Sequence, residues 1–194
     1  MSTVTADRRG EILEAALAVF TRHGYQRATI EEIRAASGAS TGSIYHHFGG
    51  KEELAAALYV EGLRAYQRSF LDVLARGDDA EGTVRAIVAN HLDWVASNPE
   101  MARYLLSTRA AEVVRATDRE LRTMNRGVIG ATREWIDREV DAGVLRALPT
   151  ALYYAILIGP AQEFARQWLR ARDAEAMREA ERVLPDAAWR AVRA

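Results

Sequence analysis

Residues 41–54 read TGSIYHHFGGKEEL. Two adjacent histidines, a tyrosine, a phenylalanine, two glycines and a lysine are grouped in one short polar-aromatic stretch. On a helix turning about 100° per residue, Ile44 and Phe48 fall four apart on one side and His46 points almost directly opposite. Gly42 and Ser43 also point away, and Tyr45 and His47 lie on the flanks. Two core anchors therefore hold a short helix whose outer side is small, polar and aromatic, with little charge. Gly42 weakens that helix by roughly 1 kcal/mol against Ala, yet it permits very close approach of another molecule. A His46–His47 metal pair is disfavoured, because neighbours on a helix diverge while zinc-binding helices use i, i+4 pairs.

Working upstream, Ser40 can cap this helix, and Gly38 ends a preceding one. That preceding helix opens at Thr29, with Glu32 three residues later as a capping-box partner, and runs through Ser37 with Ile30, Ile33 and Ala36 as its buried side. The two helices are separated by Gly38 to Ser40 alone, the length and chemistry of a helix-turn-helix. Before them, Ile12, Leu13, Ala16, Leu17 and Phe20 mark a helix from Arg8 to His23, stopped by Gly24.

Downstream, the pattern is helical throughout. A long helix from Lys51 to about Arg76 carries Leu54, Leu58, Tyr66, Phe70 and Leu74 on one side. After a Gly77-Asp78-Asp79 loop come helices over about 80–97, a short one after Asn98-Pro99, and one over about 118–142. Another spans about 149–172 with a kink or break expected at Gly159-Pro160, and a last one starts at Asp173, with an interruption expected at Pro185. The fold expected is all-α, with a helix-turn-helix domain over residues 1–50 and a larger helical domain over 51–194.

The totals narrow the chemistry. The chain has 194 residues and no cysteine, which excludes disulfides, thiolate metal sites and a cysteine nucleophile. The opening MSTVTADRRGEIL lacks the continuous apolar core of a signal peptide, and the longest apolar run, residues 151–159, is too short for a bilayer, so a soluble cytoplasmic protein is expected. Net charge is −1, and residues 1–51 carry six basic against five acidic side chains, so any nucleic-acid contact must come from a local arrangement. Lys51 is the single lysine. The four histidines, His23, His46, His47 and His91, fall in no nucleophile motif, and no strand precedes a glycine-rich phosphate loop. No enzyme activity, cofactor or metal is expected.

The stretch ATIEEIRAASGASTGSIYHHFGGKEEL resembles the DNA-binding domain of the TetR family of transcriptional repressors. The resemblance lies in Gly24-Tyr25, the Thr29 cap, Gly42-Ser43-Ile44-Tyr45-His46-His47-Phe48 and Lys51-Glu52-Glu53-Leu54, over about residues 8–55. It implies a homodimer on a pseudo-palindromic double-stranded operator. It implies that Tyr45 and His46 contact mainly DNA backbone, that Thr29 and Lys51 clamp phosphates, and that Thr41, Gly42 and Ser43 approach bases or backbone, with Ser40 beside them. Thr41 departs from the lysine frequent in relatives, which removes one phosphate contact. The resemblance further implies that the last two helices pair with their copies, through Leu157, Ala161, Phe164 and Trp168.

The second half is where a small-molecule effector would bind. His91 shares a face with Val84, Ile87, Val88 and Val95; Asn125 shares one with Leu121, Val128 and Thr132; Trp94, Met101, Tyr104, Met124 and Trp135 fall near the same surfaces. Polar groups on apolar helix faces among aromatics suit a largely apolar pocket, and equally suit a satisfied core. Arg115, Arg119, Arg122 and Arg126 form a stripe that is either a solvated face or an attraction for an anionic ligand. The expected function is a ligand-responsive repressor released from DNA by its effector. The competing reading is a helical ligand-binding or adaptor protein that does not read DNA.

Overall fold

Helix boundaries follow from the local chemistry of their ends. A computed structural model describes the backbone of residues 3–77, 79–106 and 118–194, and the side chains of residues 8–77, 79–106 and 119–194. The described residues form ten helices: α1 (Thr3–His23), α2 (Ile30–Ser37), α3 (Thr41–Phe48), α4 (Lys51–Arg76), α5 (Ala80–Ser97), α6 (Pro99–Leu106), α7 (Asp118–Asp141), α8 (Thr150–Leu157), α9 (Gly159–Ala171) and α10 (Ala174–Val192). None of them is long and apolar enough to cross a membrane. No strand occurs among the described residues; an isolated antiparallel bridge pairs Leu145 with Arg193.

The described residues form two compact units, one drawn from the ranges 1–63 and 100–122, the other from 64–99 and 123–194. In the first, Ile12, Ala16 and Phe20 of α1 join Ile33 of α2, Ile44 and Phe48 of α3, and Leu54, Ala55 and Leu58 of α4 in one core. Tyr104 of α6 completes it: its ring stacks on Phe20 with centroids 6.0 Å apart, and its hydroxyl donates to the Ala55 carbonyl at 2.8 Å. The caps around α3 are left-handed glycines, Gly38 at φ 65° and Gly49 at φ 66°, a conformation that costs other residues roughly 1 kcal/mol or more.

In the second unit, α5 is the central element, packed on α9 and α10. Val84, Ile87, Val88 and Leu92 of α5 meet Trp135 and Ile136 of α7, Tyr153 and Leu157 of α8, and Met177, Ala188 and Val192 of α10. Arg85 adds an ion pair to Asp186 at 2.8 Å, joining α5 to α10. The C-terminus is tied down by backbone bonds from Arg146 N to Val192 O (2.9 Å) and from Ala194 N to Val144 O (3.0 Å).

Three expectations are corrected. α1 starts at Thr3 rather than Arg8, because the apolar periodicity that marks a helix begins only at Ile12. Ala36 is exposed; the small buried residues at α2 are Ala28 and Ala39, which lie outside the helix proper. Pro185 does not interrupt α10. The proline removes one intrahelical hydrogen bond, but Met177 and Ala180 before it and Ala188 and Val192 after it are all buried, so packing holds both halves on one axis. Gly159-Pro160, by contrast, does break the chain, at Ile158 between α8 and α9.

Candidate nucleic-acid interface

α3 is presented as its spacing requires. Ile44 and Phe48 are buried in the first unit's core. Thr41, Gly42, Tyr45 and His46 face solvent, with Tyr45 at 51% exposure, and Ser43 and His47 are half-buried. Ser40 caps the helix, its Oγ accepting from Ser43 N at 3.1 Å. A Cβ added at Gly42 would meet nothing nearer than Ser40 Oγ at 3.9 Å, so the backbone here lies open from outside. The outer side is thus a shallow strip of hydroxyl, bare backbone, phenol and imidazole on a rigid body.

The two residues expected to clamp phosphates are engaged within the chain. Thr29 and Glu32 form a complete capping box. Thr29 N donates to Glu32 Oε2 at 2.8 Å, Thr29 Oγ1 donates to the same oxygen at 2.9 Å, and Glu32 N donates to Thr29 Oγ1 at 3.2 Å. These bonds, first from the Thr29 backbone and then from its hydroxyl, hold the Glu32 carboxyl below the ordinary carboxylate range. The Lys51 ammonium donates to the carbonyls of Tyr25 (3.1 Å), Gln26 (3.3 Å) and Ala28 (2.9 Å), and it lies 4.9 Å from the centroid of the Tyr25 ring. An ammonium has three N–H donors, and all three have partners, so Lys51 ties the start of α4 to the turn between α1 and α2. Sequence reasoning missed this role because the acceptors are backbone carbonyls more than 20 residues away, which no side-chain motif marks. Nearby, Arg34 is held by Glu31 through bonds of 2.6 to 2.9 Å.

The effector candidates separate into distinct settings. Tyr104 is a core residue of the first unit, and Met101 packs there against Gly62, where a Cβ would stand 2.3 Å from the Met101 sulfur. Trp135 is buried in the second unit's core. Met124 is half-buried, and Asn125 is exposed, accepting from Gln67 Nε2 at 2.7 Å. His91 and Trp94 come together around Tyr66 of α4: its hydroxyl lies 2.8 Å from His91 Nδ1, its ring 5.5 Å from the imidazole and 5.2 Å from the Trp94 indole. Burial holds the His91 imidazole down to about 4. Tyr66 was legible only as part of an apolar helix face. Of the arginine stripe, Arg119, Arg122 and Arg126 are exposed on α7, and Arg115 lies outside the described residues.

The surface expected to pair two copies is also rearranged. Leu157 and Ala161 are buried in their own chain, at 4% and 0% exposure, because the apolar face of α8 and α9 turns toward α5. Phe164 and Trp168 are half-buried, and the apolar side chains that reach solvent on α8 are Leu152 and Tyr154, the latter at 63% exposure.

A capped three-residue turn joining two short helices, the second anchored by two buried residues and otherwise open, defines a helix-turn-helix domain. Residues 12–58 match the bacterial regulatory proteins of the tetR family. Over 152 residues the chain is 32% identical to the HTH-type transcriptional repressor AcnR of Corynebacterium glutamicum, spanning 75% of each. A 48% identical stretch of 62 residues matches the AcnR of Corynebacterium efficiens, covering 30% of this chain and only 33% of that protein. Among solved structures, a TetR family transcription regulator from Marinobacter aquaeolei superposes with a TM-score of 0.80, at 20% identity, over 100% of this chain and 99% of the other. FadR from Bacillus subtilis, in complex with stearoyl-CoA, gives 0.74 at 14% identity over 92% and 96%. The two structures share the fold. The chain belongs to the tetR family of bacterial regulatory proteins.

Proposed function

We propose that the chain is a ligand-responsive transcriptional repressor that binds a pseudo-palindromic operator as a homodimer and is released by a small-molecule effector. Residues 1–50 read DNA in this account, and residues 51–194 bind the effector and dimerise. The observation that carries the reading is the outer side of α3, where Thr41, Gly42, Tyr45 and His46 stand open above two buried anchors. A helix so mounted fits the major groove, with its N-terminal Ser40, Thr41, Gly42 and Ser43 toward base edges and Tyr45 and His46 toward phosphates. The geometry supports a positioning role for Thr29 and Lys51, which brace α2 and the α1–α2 turn rather than offering free donors.

One short helix reads too little DNA to bind tightly, so a second copy is required, its α3 one helical turn of DNA or a multiple away, about 34–36 Å per turn. Phe164 and Trp168, with Leu152 and Tyr154, supply apolar surface for that pairing, and Leu157 and Ala161 support it from beneath. An effector held near His91 and Trp94 would act through α4, which carries Tyr66 and continues to Lys51. It releases DNA only by the difference in its affinity for the two states. That a neighbour in fold was solved with stearoyl-CoA supports the capacity of such a helical framework to hold a ligand.

The test is selection of a random double-stranded DNA pool on the purified protein at moderate salt, read by sequencing. An enriched inverted repeat is expected. A folded, dimeric protein that enriches nothing returns the chain to the adaptor reading, which the balanced charge around α3 favours.

A further inference from the structure

His91 is 5% exposed, and its Nε2 is buried with no protein partner among the described residues. Leaving a buried donor or acceptor unanswered is costly, and native structures rarely do so without a reason. Its other ring nitrogen is taken by Tyr66, which fixes which kind of group Nε2 is. The buried imidazole is neutral and carries one N–H. If Nδ1 carried it, Nε2 would be an unanswered acceptor, and the Tyr66 hydroxyl proton would also lack an acceptor among the described residues. If the Tyr66 hydroxyl donates to Nδ1, a single group is left over, the Nε2–H. The second arrangement strands one polar group instead of two and is the stable one.

The setting of that N–H is apolar and aromatic. His91 shares the buried face of α5 with Val84, Ile87, Val88 and Val95, and the Tyr66 ring packs against it, with the Trp94 indole on Tyr66 in turn. We propose that His91 Nε2–H is the polar anchor of a ligand site in the second unit, and that the site takes an uncharged, largely apolar molecule bearing one hydrogen-bond acceptor, such as a carbonyl oxygen. The inference rests on the effector reading above and names the chemistry of its ligand. An ammonium would meet a donor where it needs an acceptor. A carboxylate would be buried beside a neutral imidazole, with no cation in the hydrogen-bonded cluster to offset its desolvation.

The experiment uses four matched probes on the 194-residue chain: 4-phenylbutan-2-one, butylbenzene, 4-phenylbutanoate and 4-phenylbutylamine. Imidazole 15N–1H correlation spectra of the labelled protein report on His91 directly. The ketone should shift the Nε2 signal saturably and bind about tenfold or more tighter than butylbenzene, with both charged probes weaker than the ketone. In His91→Phe the ketone and the hydrocarbon should bind alike. Tyr66→Phe, which leaves both rings in place but frees Nδ1, should reduce the preference without abolishing it. Equal binding of ketone and hydrocarbon to the unaltered chain overturns the proposal, whether or not the variants fold. So does a Nε2 signal that no probe moves and that shows a cross-peak to a bound water. Inverted-repeat selection with no ketone response would sink this site and leave the regulatory reading standing; a ketone response with no DNA selected would do the reverse.

Discussion

The polar side chains that frame α3, as distinct from those on its open outer side, point at partners within the chain: Lys51 at three carbonyls, Thr29 and Glu32 at one another, Ser40 at the Ser43 amide. Glu11 Oε2 of the first unit is also buried without a hydrogen bond, but it has the Arg8 guanidinium 2.7 Å away as an ion-pair partner. In the second unit, two buried polar atoms on α5, His91 Nε2 and Thr83 Oγ1, have no such partner among the described residues. A reading head must keep its shape on a rigid partner, and satisfied caps and latches supply that shape. A region that answers a small molecule needs polar groups in reserve, and reserve carries a cost in stability. On the proposed reading, the first unit is a finished reading head and the second keeps polar groups in reserve for a ligand.

That contrast concerns polar groups alone, so the apolar cores should fail alike. Phe48→Ala in the first unit and Trp135→Ala in the second should each cost about 3–5 kcal/mol, read as a fall in the denaturant midpoint. A loss below about 1 kcal/mol at Trp135 would mean that its indole borders accommodating space, and would restore it as an effector contact.

Acid should separate the units next. His91 is held down to about 4 from an ordinary 6.5 by burial, so between those values the unfolded chain binds the proton and the native chain does not. Stability then rises with pH across that window, is fully present above about 6.5, and is lost as pH falls toward 4, by on the order of 3 kcal/mol. Urea unfolding at pH 7 and pH 4, compared with His91→Phe, isolates this component. A variant that loses as much stability as the parent would place the acid sensitivity elsewhere.

Lys51→Met tests whether the first unit's polar groups serve shape or contact. Losing three carbonyl bonds at a half-buried site should destabilise by about 1–2 kcal/mol. Operator affinity should fall, but the slope of its logarithm against log salt should stay nearly unchanged. A phosphate clamp would instead leave stability intact and reduce the slope by about one.

The order in which these features could be read from sequence follows the range over which they act. The caps at Thr29, Ser40 and Gly38, and the Ile44–Phe48 anchor pair, rest on spacings of one to four residues, and the structure shows each of them. The break at Ile158 was legible for the same reason, since Pro160 acts on its own turn. Pro185 was misread because tertiary packing on both sides overrides the local penalty. Leu157 and Ala161 could not be assigned, because an apolar helix face looks the same whether it meets its own core or a second copy. The Lys51 latch and the Tyr66–His91 pair join residues 23 to 26 apart, and nothing local announces either.

The smallest expected effect is the most local one. Thr29→Ala removes the cap of α2 and should cost about 1 kcal/mol at neutral pH. The Glu32 carboxyl is held below its ordinary range chiefly by the Thr29 amide and then by the Thr29 hydroxyl, so it binds its proton less readily in the native chain than in the unfolded one. Its contribution is therefore present above the ordinary carboxylate range and lost as pH falls through the lowered value. The difference between parent and Thr29→Ala should narrow in acid, because a protonated Glu32 holds the cap less firmly. Since α2 packs against α3 in the shared core, operator affinity should weaken in step with stability, with no change in salt slope. If Thr29→Ala instead lowered the slope by about one while leaving the unfolding midpoint unmoved, its hydroxyl would be a phosphate contact, and the division between a finished reading head and a region held in reserve would lose its firmest local support.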